Sequence, residues 1–209
     1  MAARNIELKI FLLSCLWVIA VETAWIIFMA GKTGWIALGM LRLLELILVL
    51  GTVYYFDRDF KSIALSSLQI MPGLKKGFLW SFVFGIITGI LFFILFMNDI
   101  NPFKLLRVRL PQDTLQKILF FLVGGLIAPV TEETFFRGIL YGFFRKWGSL
   151  FAISVSTFIF ALAHPGVSYV QITGGIVFAI SYEKEKNLLV PITIHTLGNL
   201  SLFSLSILT

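Results

Sequence analysis

Cysteine is almost missing from this chain. A single Cys15 in 209 residues excludes an intramolecular disulfide framework and a cysteine-cluster metal site. Charge is scarce too, at 13% of residues, and there are only two histidines, His164 and His195. No internal repeat, low-complexity tract or soluble appendage is visible. What fills the chain instead is hydrocarbon: 58% hydrophobic residues, 22 of them Phe, and a mean hydropathy of +0.95. Soluble domains sit near ~45–50% apolar, so the composition predicts an all-α polytopic integral membrane bundle. At roughly 20 residues per span there is room for about seven transmembrane helices in one integral domain, 1–209. The net charge of +6 does not point to nucleic acid, because Lys and Arg sit in short loops flanking apolar runs, as in cytoplasmic loop bias.

Apolar periodicity and breakers predict where the spans lie. The first runs from about Ile10 to Ala30 and carries Glu22; Gly31-Lys32-Thr33-Gly34 turns into a second, about Trp35 to Phe56, with Arg42 and Glu45 at a spacing that permits an in-helix pair. Leu12-Leu13-Ser14-Cys15 resembles a lipoprotein cleavage box only faintly, and no small-x-small site follows, so the first span reads as uncleaved. Asp57 to Lys76, with Pro72-Gly73 as a breaker, reads as an interfacial amphipathic segment. The third span is about Gly77 to Met97, where Gly85 and Gly89 offer a small-residue packing face. After a polar loop, Asn98 to Gln116, a fourth span ends at Arg145-Lys146, with Gly138 and Gly142 as a second such face. A fifth, about Ser149 to His164, stops at Pro165-Gly166; a sixth, about Val167 to Tyr182, ends at a charged turn, and a seventh starts near Leu188. With a cytoplasmic N-terminus, ten basic residues fall inside (Arg4, Lys9, Arg58, Lys61, Lys75, Lys76, Arg145, Lys146, Lys184, Lys186). Five fall outside (Lys32, Lys104, Arg107, Arg109, Lys117), which favours N-inside. The absence of a presequence and the compact size lean toward a prokaryotic inner membrane.

One stretch organises the chain: Ala128-Pro129-Val130-Thr131-Glu132-Glu133-Thr134-Phe135-Phe136-Arg137-Gly138, inside a run otherwise apolar from Ile118 to Phe144. Each charge in hydrocarbon costs at least ~2.5–3.5 kcal/mol, so three together must be paired. Glu133 and Arg137 are four apart and stack on one helix face in the favoured order. Glu132, turned about 100° away, needs another partner. His164 and His195 both lie in apolar segments, and Asn199 shares a helix face with His195. At ~1.5 Å per residue, Glu132, His164, His195 and Asn199 lie about 20, 24, 12 and 18 Å from the cytoplasmic surface. Such depths, with a kink at Pro129, permit one layer.

That layer contains the parts for hydrolysis: a carboxylate as general base, an imidazole to orient the water, and a second imidazole with a carboxamide to donate to an oxyanion. Each histidine alone reads equally well as a hydrogen bond between helices; the four residues together read as a site. Two Glu and two His also make a conceivable zinc donor set. No His-Glu-x-x-His occurs, however, and the histidines sit on different helices from each other and from the glutamates.

Glu132-Glu133-x-x-x-Arg137, Phe160-x-x-x-His164 and His195-x-x-x-Asn199, in order and in apolar context, resemble the three signatures of the CPBP intramembrane proteases, the family of CAAX prenyl endopeptidases and bacteriocin-processing proteins. The resemblance covers about Leu119 to Leu200. It marks 116–205 as a catalytic core and leaves 1–115 without a recognised motif. It implies an endopeptidase with no obligatory metal or other cofactor, acting on a peptide or membrane-anchored protein. In it Glu132 activates water with His164 assisting, His195 and Asn199 hold the oxyanion, and Glu133 and Arg137 form a supporting ion pair. Two other classes compete: a membrane interaction or immunity protein using the motif as scaffold, and a proton or solute carrier, against which the missing repeat symmetry speaks.

Overall fold

The computed structural model describes residues 5–29, 34–103, 108–164 and 169–208. Among the described residues seven long helices carry the fold: α1 Leu8–Met29, α2 Trp35–Asp57, α3 Ile70–Met97, α4 Thr114–Trp147, α5 Ser149–Leu162, α6 Tyr169–Glu185 and α7 Leu189–Leu208. Among the described residues there is no strand, and five helices (α1, α2, α3, α4, α7) are long and apolar enough to cross a membrane. The protein is an all-α integral membrane bundle. Helices α5 and α6 have 14 and 17 residues, about 21 and 26 Å at ~1.5 Å per residue. They are shorter than the ~30 Å hydrocarbon thickness and lean on α4 and α7. The Gly31-Lys32-Thr33 turn, Lys104, Arg107 and Pro165-Gly166 lie outside the described residues.

Helix α4 is the spine. It touches α1, α2, α5, α6 and α7 and supplies both cores. Ile139, Tyr141 and Phe143 join Ile6, Ile10, Val49, Val53 and Tyr182, while Phe136 and Leu140 join Phe160, Phe178, Val190 and Ile194. Asp113 caps its start by accepting from Gln116 N–H at 2.9 Å. Its course is not uniform: Val123–Ile127 and Thr134–Tyr141 are π-helical, and the Ala128 N–H reaches back five residues to the Val123 carbonyl. Pro129, just beyond the first widened turn, has no N–H to give and would press on the carbonyl four residues back. The anticipated kink is therefore taken up as an extra residue in the turn, a feature common at functional sites. Gly148, at φ +110°, makes the sharp reversal into α5 that a side chain would resist.

Three expectations are corrected. Pro72-Gly73 does not break the chain: α3 begins at Ile70 and runs through it, because a proline in the first helical turn has no intrahelical N–H bond to lose. The expected interfacial segment shrinks to two 3-10 turns, Lys61–Ile63 and Ser67–Gln69, with Ser62 and Ile63 buried. Gly85 and Gly89 face nothing within 4 Å of where a Cβ would stand; their spacing marks a face, but no helix of this chain meets it. The close approach of α3 lies at Gly77, where a Cβ would come 2.5 Å from Thr193 Cβ of α7. Gly138 and Gly142 do sit at tight contacts, against Ile63 and Ile6.

At the end of α4, Glu183 gathers donors: Tyr141 Oη at 2.6 Å, Arg145 Nε and Nη2 at 2.7 Å each, and Lys186 Nζ at 2.6 Å. Glu183 lies just past the apolar part of α6. Burial pushes its carboxyl up, but the bonds from Arg145, Lys186 and Tyr141 outweigh this and hold it at about 2. A folded value below the ordinary 4.5 means the cluster stabilises fully above that pH and loses its effect as pH falls toward 2.

Two outcomes follow. Gly77→Val should cost about 1–3 kcal/mol by overpacking and lower the melting temperature in detergent, while Gly85→Val should leave it unchanged; equal effects would contradict the packing described. Acidification from pH 4.5 to 2 should lower the wild-type melting temperature, and Glu183→Gln should flatten part of that slope. An identical slope in the variant would show that the cluster contributes nothing.

Candidate active site

The two adjacent glutamates of α4 face opposite kinds of surroundings. Glu133 and Arg137 are fully buried, and Arg137 Nη1 donates to Glu133 Oε1 at 2.9 Å. The anticipated i,i+4 pair is present. The same Oε1 accepts a second bond, at 2.8 Å, from His195 Nδ1 of α7. Arg137 Nη2 donates to the Gly175 carbonyl of α6 at 3.2 Å, so one ion pair ties three helices. The guanidinium lies 4.7 Å over the Phe160 ring and 5.2 Å over the Phe178 ring, contacts that favour a cation away from water. His195 stacks on Phe178, with centroids 4.6 Å apart and planes at 19°.

Glu132 points elsewhere. Its Oε2 lies 3.8 Å from His164 Nε2 and 3.9 Å from His195 Nε2. Three helices, α4, α7 and the end of α5, thus converge on one carboxylate. Both separations are too long for a direct hydrogen bond and suit one bridged by a water. The Glu132 side chain is 16% exposed and that of His164 25%, against 0% for Glu133, so Glu132 is the carboxylate that water and substrate can reach.

Hydrogen bonding fixes what each ring presents. His164 Nδ1 is 2.8 Å from the Phe160 carbonyl, which can only accept, so the proton sits on Nδ1 and a neutral His164 offers the Nε2 lone pair to the site. His195 Nδ1 donates to Glu133 in the same way. Donation from His195 Nε2 therefore requires the imidazolium, a condition the sequence alone did not reveal. Asn199 sits one turn beyond His195 and spends one N–H on the Gly124 carbonyl in the first widened turn, at 2.9 Å. The structure brings Glu132, His164 and His195 together, whereas the hydrogen bond of Asn199 goes to the helix wall. Among the described residues no group of three His, Cys, Asp or Glu side chains is arranged to hold a metal ion.

Two contacts had no anticipated partner. Arg42 of α2 binds Glu45 Oε2 at 2.6 Å, as the spacing permitted, but also bonds to Glu22 of α1. The signal was available: a carboxylate and a guanidinium in neighbouring spans each need a counter-charge. Thr131 Oγ1, next to Glu132, donates to the Arg42 carbonyl at 3.0 Å, a tie for which the sequence holds no cue.

Arg137→Met should strand the buried Glu133 charge and destabilise by about 3–5 kcal/mol, measured by unfolding in detergent; a loss below ~1 kcal/mol would show that His195 alone satisfies Glu133.

Residues 114–201 match the sequence model of the Rce1-like type II CAAX prenyl endopeptidases. The "Putative membrane peptidase YdiL" of Bacillus subtilis (strain 168) is 31% identical over 91 residues, 42% of this chain and 37% of that protein. The "Membrane-embedded CAAX protease MroQ" of Staphylococcus aureus (strain USA300) is 33% identical over 90 residues, 39% of this chain and 36% of that protein. The matches span little more than a third of each relative's length. No solved structure matches significantly. The matched segment 114–201, which contains Glu132, Glu133, Arg137, His164, His195 and Asn199, is similar to the Rce1-like domain of the CAAX proteases.

Proposed function

We propose that the chain is an intramembrane endopeptidase that hydrolyses a peptide bond of a peptide or membrane-anchored protein with water activated by Glu132. The observation that carries this reading is the convergence of His164 Nε2 and His195 Nε2 on Glu132 Oε2 at 3.8 and 3.9 Å, at a spot partly open while the neighbouring carboxylate is sealed. The relative from Staphylococcus aureus, whose name describes a membrane-embedded CAAX protease, supports the same reaction class.

In this reading a water between Glu132 and His164 loses a proton to Glu132 as its oxygen attacks the scissile carbonyl. The His164 Nε2 lone pair accepts the water's other hydrogen bond and so aims the attack. The carbonyl oxygen gathers negative charge and is met by N–H donors from the His195 imidazolium and from Asn199. Glu132 then returns its proton to the leaving amine nitrogen as the C–N bond breaks. Glu133 and Arg137 take no part in bond making; they hold His195 in orientation. No step calls on a metal or another cofactor. The lipid bilayer is the working solvent, nucleic acid has no role, and the loop charges support a cytoplasmic N-terminus.

The test compares protein termini in membranes from cells carrying the wild type and cells carrying Glu132→Gln at equal abundance. New termini should appear only with the wild type, with at least a 100-fold loss in the variant, the scale on which general acid–base groups contribute. Identical termini would overturn the protease reading and move the fold to a non-proteolytic interaction or immunity role.

A further inference from the structure

The first two helices, outside the matched segment 114–201, carry a groove of their own. Helices α1 and α2 run antiparallel: Glu22 meets Arg42 at one level, and Lys9 lies over the Phe56 ring at another. Between these contacts the outward face of the pair is hollow, with Leu13 and Trp17 on one side and Ile47 and Leu48 on the other. Its volume, about 360 Å³, falls within the ~300–1,000 Å³ range of ligand sites. No atom stands within 4 Å of where a Gly51 Cβ would be, so the missing side chain leaves the floor open. Thr52 spends its hydroxyl on the Leu48 carbonyl at 2.8 Å, and the floor offers no free polar group. An apolar hollow of this kind stays dry; within a membrane span, hydrocarbon is what fills it.

The groove has a polar end. From Ile47 to Tyr55 it extends about 12 Å along α2, close to the ~15 Å depth of one leaflet's hydrocarbon. Tyr55 lies two residues before the last residue of α2, Asp57, so this end stands at headgroup level. There Arg58 takes φ +61° and closes α2 with its N–H on the Tyr54 carbonyl at 2.9 Å. Its guanidinium lies 5.8 Å from the Tyr55 ring centroid, and Lys9 Nζ 4.7 Å from that of Phe56. Lys9 and Lys61 have carboxylates of their own, Glu7 at 2.9 Å and Asp59 at 3.2 Å. Arg58 is exposed and, among the described residues, has no ion-pair partner. Oδ2 of the adjacent Asp57 is enclosed by protein, out of a headgroup's reach.

We propose that the α1–α2 groove binds one anionic phospholipid, with an acyl chain along Gly51 between Trp17 and Tyr55 and the headgroup phosphate on Arg58. The fork of the guanidinium matches phosphate oxygens, and Lys9 adds a second positive charge beside it. A helix of another protein laid in the groove would leave Arg58 unanswered. A zwitterionic headgroup brings a cation of its own, which Arg58 and Lys9 repel. The bound lipid braces α1 against α2, the helix whose Arg42 carbonyl receives Thr131 of α4.

The test places the full chain in phosphatidylcholine nanodiscs with a trace of phospholipid bearing a photoreactive diazirine at mid-chain. After illumination, peptide mass spectrometry maps the adducts. A phosphatidylglycerol probe should label Leu13, Trp17 and Leu48 about fivefold more than a phosphatidylcholine probe, the ratio that about 1 kcal/mol from one cation gives. Arg58→Gln should abolish that preference and Arg58→Lys should keep it. Gly51→Leu, whose side chain enters open space, should keep the melting temperature and remove groove labelling by either probe. Labelling of the outward face of α3, at Phe82 and Ile86, should stay the same in every variant. Equal labelling by the two probes, or a preference that survives Arg58→Gln, would overturn the assignment to an anionic lipid. Groove labelling no stronger than that of α3 would overturn the site itself and leave ordinary annular lipid or a protein neighbour there. If Gly51→Leu does not accumulate, the headgroup preference and its loss in Arg58→Gln decide. Cleavage enters none of these readouts, so the outcome is independent of the protease reading.

Discussion

A single carboxylate oxygen, Glu133 Oε1, accepts from Arg137 and from His195 with no solvent to share the load. Most of the site follows from that constraint. An ionised group in a dry interior is tolerated only when paired and hydrogen-bonded, so α7 must stand where His195 can reach α4, and α6 where Gly175 can accept from Arg137. The three aromatic rings of Phe136, Phe160 and Phe178 close around the guanidinium. The pair's net worth to stability is small beside the cost of taking either member away. What it supplies is uniqueness: one register of α4 against α6 and α7 satisfies it.

Register is what Glu132 needs. One residue along α4, it inherits the depth set by Glu133 but points to a different side, where α5 ends at His164. The helix of α5 stops at Leu162, short of a full span, and so releases His164 from helical geometry while its ring still bonds to the Phe160 carbonyl. Shortness that would be a fault in a membrane-crossing helix serves here to deliver a side chain into the middle of the bundle. The first two helices complete the enclosure through Thr131 and Arg42.

How much of this the sequence disclosed depends on range. The Glu133–Arg137 pair was legible because both partners lie within one helical turn, where spacing dictates contact. The common depth of Glu132, His164 and His195 was legible because residues count out distance along a helix. Lateral relations were not: nothing in the spacing ties Glu133 to a histidine 62 positions away, and that bond changes the protonation state in which His195 can donate. Gly85 and Gly89 have the same spacing as Gly138 and Gly142, yet only the latter meet neighbours, since periodicity identifies a face and not what lies opposite. Pro72 and Pro129 were both read as disruptions. The first is absorbed because it falls in an opening turn; the second does disrupt, in a form, the widened turn, that no local rule specifies. Asn199 shares a helix face with His195, but its bond goes to Gly124, within that same widened turn.

The widened turn before Pro129 also bears on how such a sequence can drift. A π-turn holds one residue more than the helix around it, so losing a residue from Val123–Ile127 would leave a continuous, better-formed helix that still crosses the membrane. Every residue beyond it would rotate by about 100° relative to Thr114–Leu122. With the lower part of α4 held by Glu133 and Arg137, the twist would fall on the upper part and carry the Gly124 carbonyl away from Asn199. A change of one residue in this short stretch would thus leave a chain folded and inserted, with the tie between α4 and α7 at Gly124 broken.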